Sequence, residues 1–358
     1  MHIKPNFDEP VGKFFRILLL LINVACATML LLSTLTVWLA PSQMRLPSLL
    51  SYACPYLFVV NAVWAVGWLC FSCKAFLIST IVIVLRIGFV PQFVQITGTE
   101  EAPDADTPQL RVLTFNVHGF RNPDDTLPAA DGAARFVELL RAENPDVLSI
   151  EEYAATRGYK MLDTLEALGY RYHRGAHKGM FGIVLFSKYP LQEVSLPSNE
   201  GMICTDIQWP QQTVRLVSVH LDSYQLTPGE THAMAHLQYD SSEVRNIFSK
   251  MMQTIQQHEQ QWIEGLQPII AESPHPVIVA GDFNDTPASY IYQQISKQLN
   301  DAFVKQGRGL CNTYHDGVLS FRIDHIFCDK AFEVLAYNCI ASDISDHYPV
   351  MAVLGRKK

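Results

Sequence analysis

Five short runs in the later two thirds of the chain end on groups that can do chemistry: Asn116 in TFNVHGF, Glu152 in DVLSIEEY, His220 in VSVHLDS, Asp282 and Asn284 in AGDFND, and Asp346 with His347 in SDHYPV. Each stands at or just past the end of an apolar, strand-like run. A polar residue closing one strand is ordinary. Five such endings with complementary chemistry point to one place, because strand ends converge in space. Carboxylates and amide oxygens are the ligands a hard cation such as Mg²⁺ prefers, and sites of that kind keep waters for the substrate. A carboxylate to take a proton from water, an imidazole to contact or protonate a phosphate oxygen, and a cation to offset developing charge together suit phosphoryl hydrolysis. No Ser-His-Asp or Cys-His nucleophile set competes with this, GDFN is not a Gly-rich phosphate loop, and no Walker-type sequence occurs.

The elements that must hold these residues alternate strand and helix. Strand-like runs cover 111–117, 146–153, 182–188, 214–221, 276–284, 323–329 and 350–355, most of them rich in Val, Ile and Leu as in a buried sheet. DGAARFVELLRAENP has apolar positions at helical spacing and ends near Pro145. A second helix is expected around SSEVRNIFSKMMQTIQQHEQQWIEGL, with Val244, Ile247, Phe248, Met251, Ile255 and Trp262 as its packed face. The polar segment 222–241 before it could overhang the site. Residues 110–358 make one α/β domain of ordinary size, and the acidic, Pro-containing 97–109 reads as a linker.

Taken in order, TFNVHG, PDVLSIEE, GIVLFSKYPL, VSVHLDS, GDFNDTP, RIDHIF and SDHYPV resemble the endonuclease/exonuclease/phosphatase family, which includes deoxyribonuclease I, exonuclease III, neutral sphingomyelinases and inositol polyphosphate 5-phosphatases. The resemblance covers roughly Leu110 to Gly355. It implies an α/β (α+β) four-layered αββα sandwich with the site at one edge of two packed sheets. Carried over by motif, Asn116 and Glu152 would hold Mg²⁺ or Mn²⁺, with Asp346 in direct or water-mediated contact. Asp282 would orient or deprotonate the attacking water, while Asn284 and His220 would bind the scissile phosphate. His347 would act in proton transfer, held in its tautomer by Asp324. One position departs from the pattern: the family commonly has Gln before the metal-binding Glu, and here Glu151 stands there. If Glu151 is nearby and ionised, like-charge proximity would raise one of the two pKa values and strengthen divalent binding. His118 and His315 lie near the motifs but are expected to be solvated loop histidines.

The first 96 residues are of another kind. No charged residue occurs for 24 positions from Ile17 to Ala40, nor for 28 from Leu46 to Cys73, and both stretches can cross a hydrocarbon layer of ~30 Å. In 75–94, Arg86 opposes 13 Phe, Leu, Ile and Val residues. At about 0.3–0.6 kcal/mol each these outweigh one arginine near the middle of a span, at roughly 2.5–3.5 kcal/mol. Three transmembrane helices are therefore expected, at about 16–40, 49–72 and 75–94. With Lys4, Lys13 and Arg16 before the first span, the positive-inside bias puts the N-terminus in the cytoplasm and the catalytic domain on the exported side. Beyond Thr97 the chain carries 21 basic and 33 acidic residues, a balance of about −12. Such a domain has no net field for a phosphate backbone.

Cys204, Cys311, Cys328 and Cys339 show no metal-type spacing and are expected to be unpaired core residues. A lipid head group is the substrate class that tethering and acidity favour. A nuclease is the alternative, and a catalytically silent membrane scaffold a second one, which the retained acidic and imidazole groups argue against.

Overall fold

In an extended strand successive side chains point to opposite faces, and in this protein that alternation builds two sheets that share one core. The computed structural model describes residues 10–71, 74–100, 108–122, 124–154, 161–178, 181–196, 201–224, 230, 241–316 and 319–357. Within them lie β1 (Gln109–Asn116), β2 (Val147–Tyr153), β3 (Tyr172–Lys178), β4 (Phe181–Ser187), β5 (Leu191–Glu193), β6 (Met202–Trp209), β7 (Gln212–His220), β8 (Val277–Asp282), β9 (Asn300–Asp301), β10 (Tyr314–Asp316), β11 (Leu319–Phe321), β12 (Asp324–Cys328), β13 (Phe332–Cys339) and β14 (Val350–Arg356). One sheet runs β13-β14-β1-β2-β4-β3 and the other β5-β6-β7-β8-β12-β9, with β10 and β11 as a separate hairpin. β1 is parallel to β2 and β7 parallel to β8; the remaining pairs are antiparallel.

Leu110 and Val112 of β1, with Ala352 of the neighbouring β14, face the second sheet, where they pack with Val214 and Leu216 of β7, Ile278 and Ala280 of β8 and Ile326 of β12. Each fully buried Val, Leu or Ile contributes about 1.5–3 kcal/mol, so this slab holds the sheets face to face. Leu113 and Phe115 point the other way, onto Phe136, Val137 and Leu140 of the helix Ala129–Glu143. That helix stops at Asn144, in a left-handed conformation with its N–H on Leu140 O, just before Pro145. On the far side of the second sheet, Tyr292 of the helix Tyr290–Gln298 packs on Phe327, with ring centroids 5.1 Å apart. The result is helix, sheet, sheet, helix: the four-layered αββα sandwich.

Several strands escape the hydrophobic pattern. β3, β5, β6, β9 and β13 are edge strands or carry alternating polar residues, as in MICTDIQW and FEVLAYNC, and their apolar runs are too broken to stand out. The helix Ser241–Gln261 forms, but its packed face is turned from the expected one. Ile247, Met252, Ile255 and Trp262 are buried while Val244 and Phe248 are about half exposed. The reason is polar: Thr254, His258 and Glu259 are buried on the inner face, where His258 holds two loops described below. Of the segment 222–241, residues 225–229 and 231–240 lie outside the described residues, as do 101–107 of the linker.

The chain divides into two compact units, residues 1–90 with 288–290, and 91–287 with 291–358. Among the described residues three helical stretches are long and apolar enough to cross a membrane, Gly12–Val37 and Arg45–Cys70 in the first unit and Phe76–Phe93, which lies in it as far as Val90. They pack around a small polar knot. Asn23 Nδ2 donates to Ser79 Oγ (2.6 Å), Ser79 Oγ donates to Asn61 Oδ1 (2.9 Å), and Trp68 Nε1 donates to Asn23 Oδ1 (3.1 Å). Leu21, Val63, Val66 and Leu85 on the outside of these helices are all more than half exposed. Arg86 lies over the Trp38 ring, 5.3 Å from its centroid.

Candidate active site

Period-two alternation places the site. The faces that carry Leu110 and Val112, Leu216, Ile278 and Ala280, and Ile326 turn polar toward one edge, where the next residues on the same faces are Asn116, His220, Asp282 and Asp324. The apolar slab thus passes into a polar cleft lined by both sheets. Asn116 bridges them: its Nδ2 donates to Asp282 Oδ2 (2.9 Å) and to Glu152 Oε1 (3.1 Å). β7 and β8 approach closely here because Gly281 has a φ of 150°, and a Cβ on it would meet Val219 O at 1.9 Å.

Glu151 and Glu152 part company at a bulge. β2 pairs regularly with β4 through Ile150 and shifts register before Tyr153, and Glu152 takes a φ of +50°. Glu151 therefore continues the strand's inward face. It is fully buried and accepts from Thr114 Oγ1 (3.0 Å) and Ser149 Oγ (2.5 Å), while Ser149 contacts Ser218 of the opposite sheet. Burial, with the charges of Asp324 and Asp282 adding to it, pushes its carboxyl well above the usual range. Glu152 turns into the cleft. Burial works to raise it, but hydrogen bonds from His118 and Asn116 and the nearby His220 outweigh that and hold it at about 2.

His118, expected as a solvated loop histidine, is part of the cleft. Its Nδ1 lies 3.3 Å from Glu152 Oε2 and 3.8 Å from Asp346 Oδ1, and the hydrogen bond to Glu152 raises its pKa. Its backbone at φ +43° and an N–H on Asn116 Oδ1 (3.1 Å) turn the ring back over the strand end. His315 instead stacks on Tyr348, with ring centroids 3.9 Å apart, on the other side of the Tyr314–His347 bridge.

Asp282 is buried; its Oδ1 accepts from the Asn284 N–H (2.8 Å) and Oδ2 lies 3.8 Å from both His220 Nε2 and His347 Nε2. Burial and the Asp324 charge raise it to about 6. Asp324 Oδ2 holds His347 Nδ1 at 2.9 Å. Burial alone would lower His347, but Asp324 and then Asp282 outweigh it and push it up to about 10. Ser345 fixes the loop, donating to Asn116 O (2.8 Å) and accepting from the His347 N–H (3.1 Å). The seven residues singled out by type are thereby brought to one cleft together with Asp324, which the resemblance supplied, and Asn284 reaches Leu221 O through Nδ2 (3.0 Å).

Behind them stands a pair that residue type did not mark. His258, fully buried, hydrogen-bonds Asp285 Oδ2 through Nδ1 (2.9 Å) and Asp222 O through Nε2 (2.7 Å). It so ties the turn after Asn284 to the turn after His220. Its one sequence signal is a histidine inside an otherwise amphipathic helix.

The donors fit a divalent cation. Glu152 and Asp346 flank a single imidazole nitrogen of His118, a position where positive charge is favoured from two sides, and their oxygens are the ligands hard cations take. Asp282, Asp324 and His347 form a second group able to hold a metal ion, each offering a donor atom within 4.8 Å of the others.

A family model described as Endonuclease/Exonuclease/phosphatase family matches residues 113–347. A second model, described as a domain of unknown function, matches residues 15–93. Comparison with curated proteins gives no match. Among solved structures, a humanized TDP2 of D. rerio is similar in fold, with a TM-score of 0.51 and 17% identity over 70% of this chain and 100% of that one. An endonuclease/exonuclease/phosphatase from Beutenbergia cavernae DSM 12333 is 21% identical over 70% of this chain and 72% of that one, with a TM-score of 0.47. One from Bacteroides vulgatus is 18% identical over 70% and 99%, with a TM-score of 0.45. Since the family model spans well over half of its length and the fold agrees, this chain belongs to the endonuclease/exonuclease/phosphatase family and is a metal-dependent hydrolase of phosphoester bonds.

Proposed function

We propose that the protein is a membrane-tethered, Mg²⁺- or Mn²⁺-dependent phosphoesterase that cleaves phospholipid-type head groups on the exported side of the membrane. The observation that carries the chemistry is the Asn116–Asp282 hydrogen bond between the two sheets, with Glu152 and the Asp324–His347 pair around it. The three apolar helices support the tether, and the balance of about −12 beyond Thr97 favours a substrate already concentrated at the surface over one steered in by basic charge.

Glu152, Asp346 and Asn116 would hold the cation, which when bound offsets negative charge growing on the phosphate oxygens. Asp282 takes a proton from the attacking water. Raised to about 6, it is a carboxylate at neutral pH yet basic enough to accept that proton. Asn116 and the Asn284 N–H fix the carboxylate's orientation. His347, kept protonated by Asp324, donates through Nε2 to the phosphate or the departing oxygen, and His220 and Asn284 bind the phosphate between them.

The test is hydrolysis by the full chain in detergent micelles and in vesicles. Bis-p-nitrophenyl phosphate, p-nitrophenyl phosphate, a labelled DNA duplex, sphingomyelin and phosphatidylinositol are compared in Mg²⁺, Mn²⁺ or EDTA, beside His347→Ala and Asp282→Asn. Metal-dependent turnover of a lipid, lost in both variants, is expected. Turnover of DNA alone would make the protein a nuclease, and folded protein silent on every substrate would favour the scaffold. For the orientation, a C-terminal tag should be cleaved by protease on cells with a permeable outer layer and an intact inner membrane; protection there would overturn the exported placement.

A further inference from the structure

We propose that Cys311 and Cys339 are a cross-linking site: they close into a disulfide that fastens the two segments framing Asp346 and His347. The proposal rests on the exported placement above for its oxidant, and on geometry for its pairing.

Cys339 is the last residue of β13 and Cys311 stands two residues past Gly309, ahead of β10. Both thiols pack against the inter-sheet core and line one cavity of about 300 Å³, together with Tyr337, His315 and Tyr348. The Cys311 and Cys339 side chains are close enough to act on one another, and Cys311 Sγ lies 3.7 Å from Tyr337 Oη. Cys204 and Cys328 are buried on other strands, so this pair is set apart by contact and by access to the cavity.

The pair sits at the base of the site. Cys339 is opposite Val350, closing the loop 340–349 that carries Asp346 and His347. The segment after Cys311 hydrogen-bonds that loop directly: His315 N–H to Asp346 O (2.9 Å) and Tyr348 N–H to Thr313 O (2.6 Å). A bond from Cys311 to Cys339 ties both segments at the point where they diverge.

The oxidant is a low-molecular-weight or protein disulfide. One cysteine thiolate attacks a sulfur of that disulfide and releases one thiol. The other cysteine's thiolate then attacks the mixed disulfide, forming the Sγ–Sγ bond and releasing the second thiol. The two cysteines are oxidised, the donor disulfide is reduced to two thiols, and those thiols carry away the two protons.

The test uses the full chain purified in detergent, incubated with oxidised glutathione, alkylated and mapped without reduction. The expected product joins the peptides holding Cys311 and Cys339. Closing a loop of about 28 residues should raise the thermal midpoint by roughly 5–10 °C, reversed by dithiothreitol and missing in both Cys311→Ser and Cys339→Ser. Two separately alkylated or singly glutathionylated cysteines would overturn the pairing, whatever the enzyme's substrate. A second arm traps thiols in growing cells with acid before alkylation. The cross-link should be present there; a bond that closes in vitro but is absent in cells overturns its formation on the exported side and leaves the phosphoesterase chemistry untouched.

Discussion

Glu151→Gln tests the division of labour between two adjacent carboxylates. Glu151 is fully buried and hydrogen-bonded by Thr114 and Ser149, and burial lifts it well above 4.5. The folded protein thus keeps a proton that the unfolded chain releases near 4.5. Because the folded state binds more protons, stability falls as pH rises above that point, by about 1.4 kcal/mol per unit, until Glu151 ionises in place. Gln is nearly isosteric, can satisfy both hydroxyls and cannot ionise, so the variant lacks this slope. Between about pH 5 and about pH 7 the stability difference should move in favour of Glu151→Gln by up to about 3 kcal/mol. For a domain of this size that is a relative rise in thermal midpoint of roughly 6–12 °C. The assay is thermal unfolding of the full chain in detergent with EDTA at the two pH values, followed by turnover with metal restored. Glu151→Gln should keep turnover within a few-fold. Glu152→Gln should lose at least the roughly 10–100-fold that removing even an outer partner of a metal ligand costs. Parallel pH curves for wild type and Glu151→Gln, or a silent Glu151→Gln beside an active Glu152→Gln, would refute the assignment.

Asp324→Asn removes the first charge that keeps His347 protonated; kcat should fall by about 10²–10⁴-fold with KM little changed. In wild type the imidazolium is lost only as pH rises through about 10, so the alkaline fall in activity should move toward neutral in the variant, and an unmoved pH profile would count against His347 as the acid. Metal-free protein should show the opposite sign at Glu152. Its folded pKa of about 2 lies below the ordinary 4.5, so its contribution is present above 4.5 and is lost as pH falls toward 2, and Glu152→Gln should flatten that acid limb of the thermal curve. His258→Ala removes the imidazole from buried Asp285, which keeps Tyr224 Oη on its other oxygen (3.3 Å), and a loss of about 1–3 kcal/mol is expected in thermal unfolding; a change under about 0.5 kcal/mol would show that the two turns hold without it.

What was legible in the sequence is what depends on local pattern. The apolar runs at the front contain the three span-length helices because a hydrocarbon layer demands length and composition. TFNVHGF, VSVHLDS, AGDFND and SDHYPV marked their chemistry because each carries a polar group at one end of an apolar strand. Period two then set Asn116, His220 and Asp282 on the face shared with the core, so their convergence followed once two sheets were stacked. The interior strand β6 and the edge strand β13 were not legible, since both alternate polar and apolar residues in a way loops also do.

Only the tertiary structure decided matters that turn on backbone geometry or on contacts between distant segments. The doublet Glu151-Glu152 is chemically symmetric on paper; a bulge and one positive φ send the first carboxylate into the core as a neutral acid and the second into the cleft as an anion. His118 joined the site because its backbone folds the ring back over Asn116, and His258 because a helix far along the chain lies across the turns after His220 and Asn284. Side-chain type limits which chemistry is possible, and pattern says which strand ends carry it. Which of two neighbours is ionised depends on the solvent and partners each one meets, and those are set by contacts between residues that adjacent sequence does not contain.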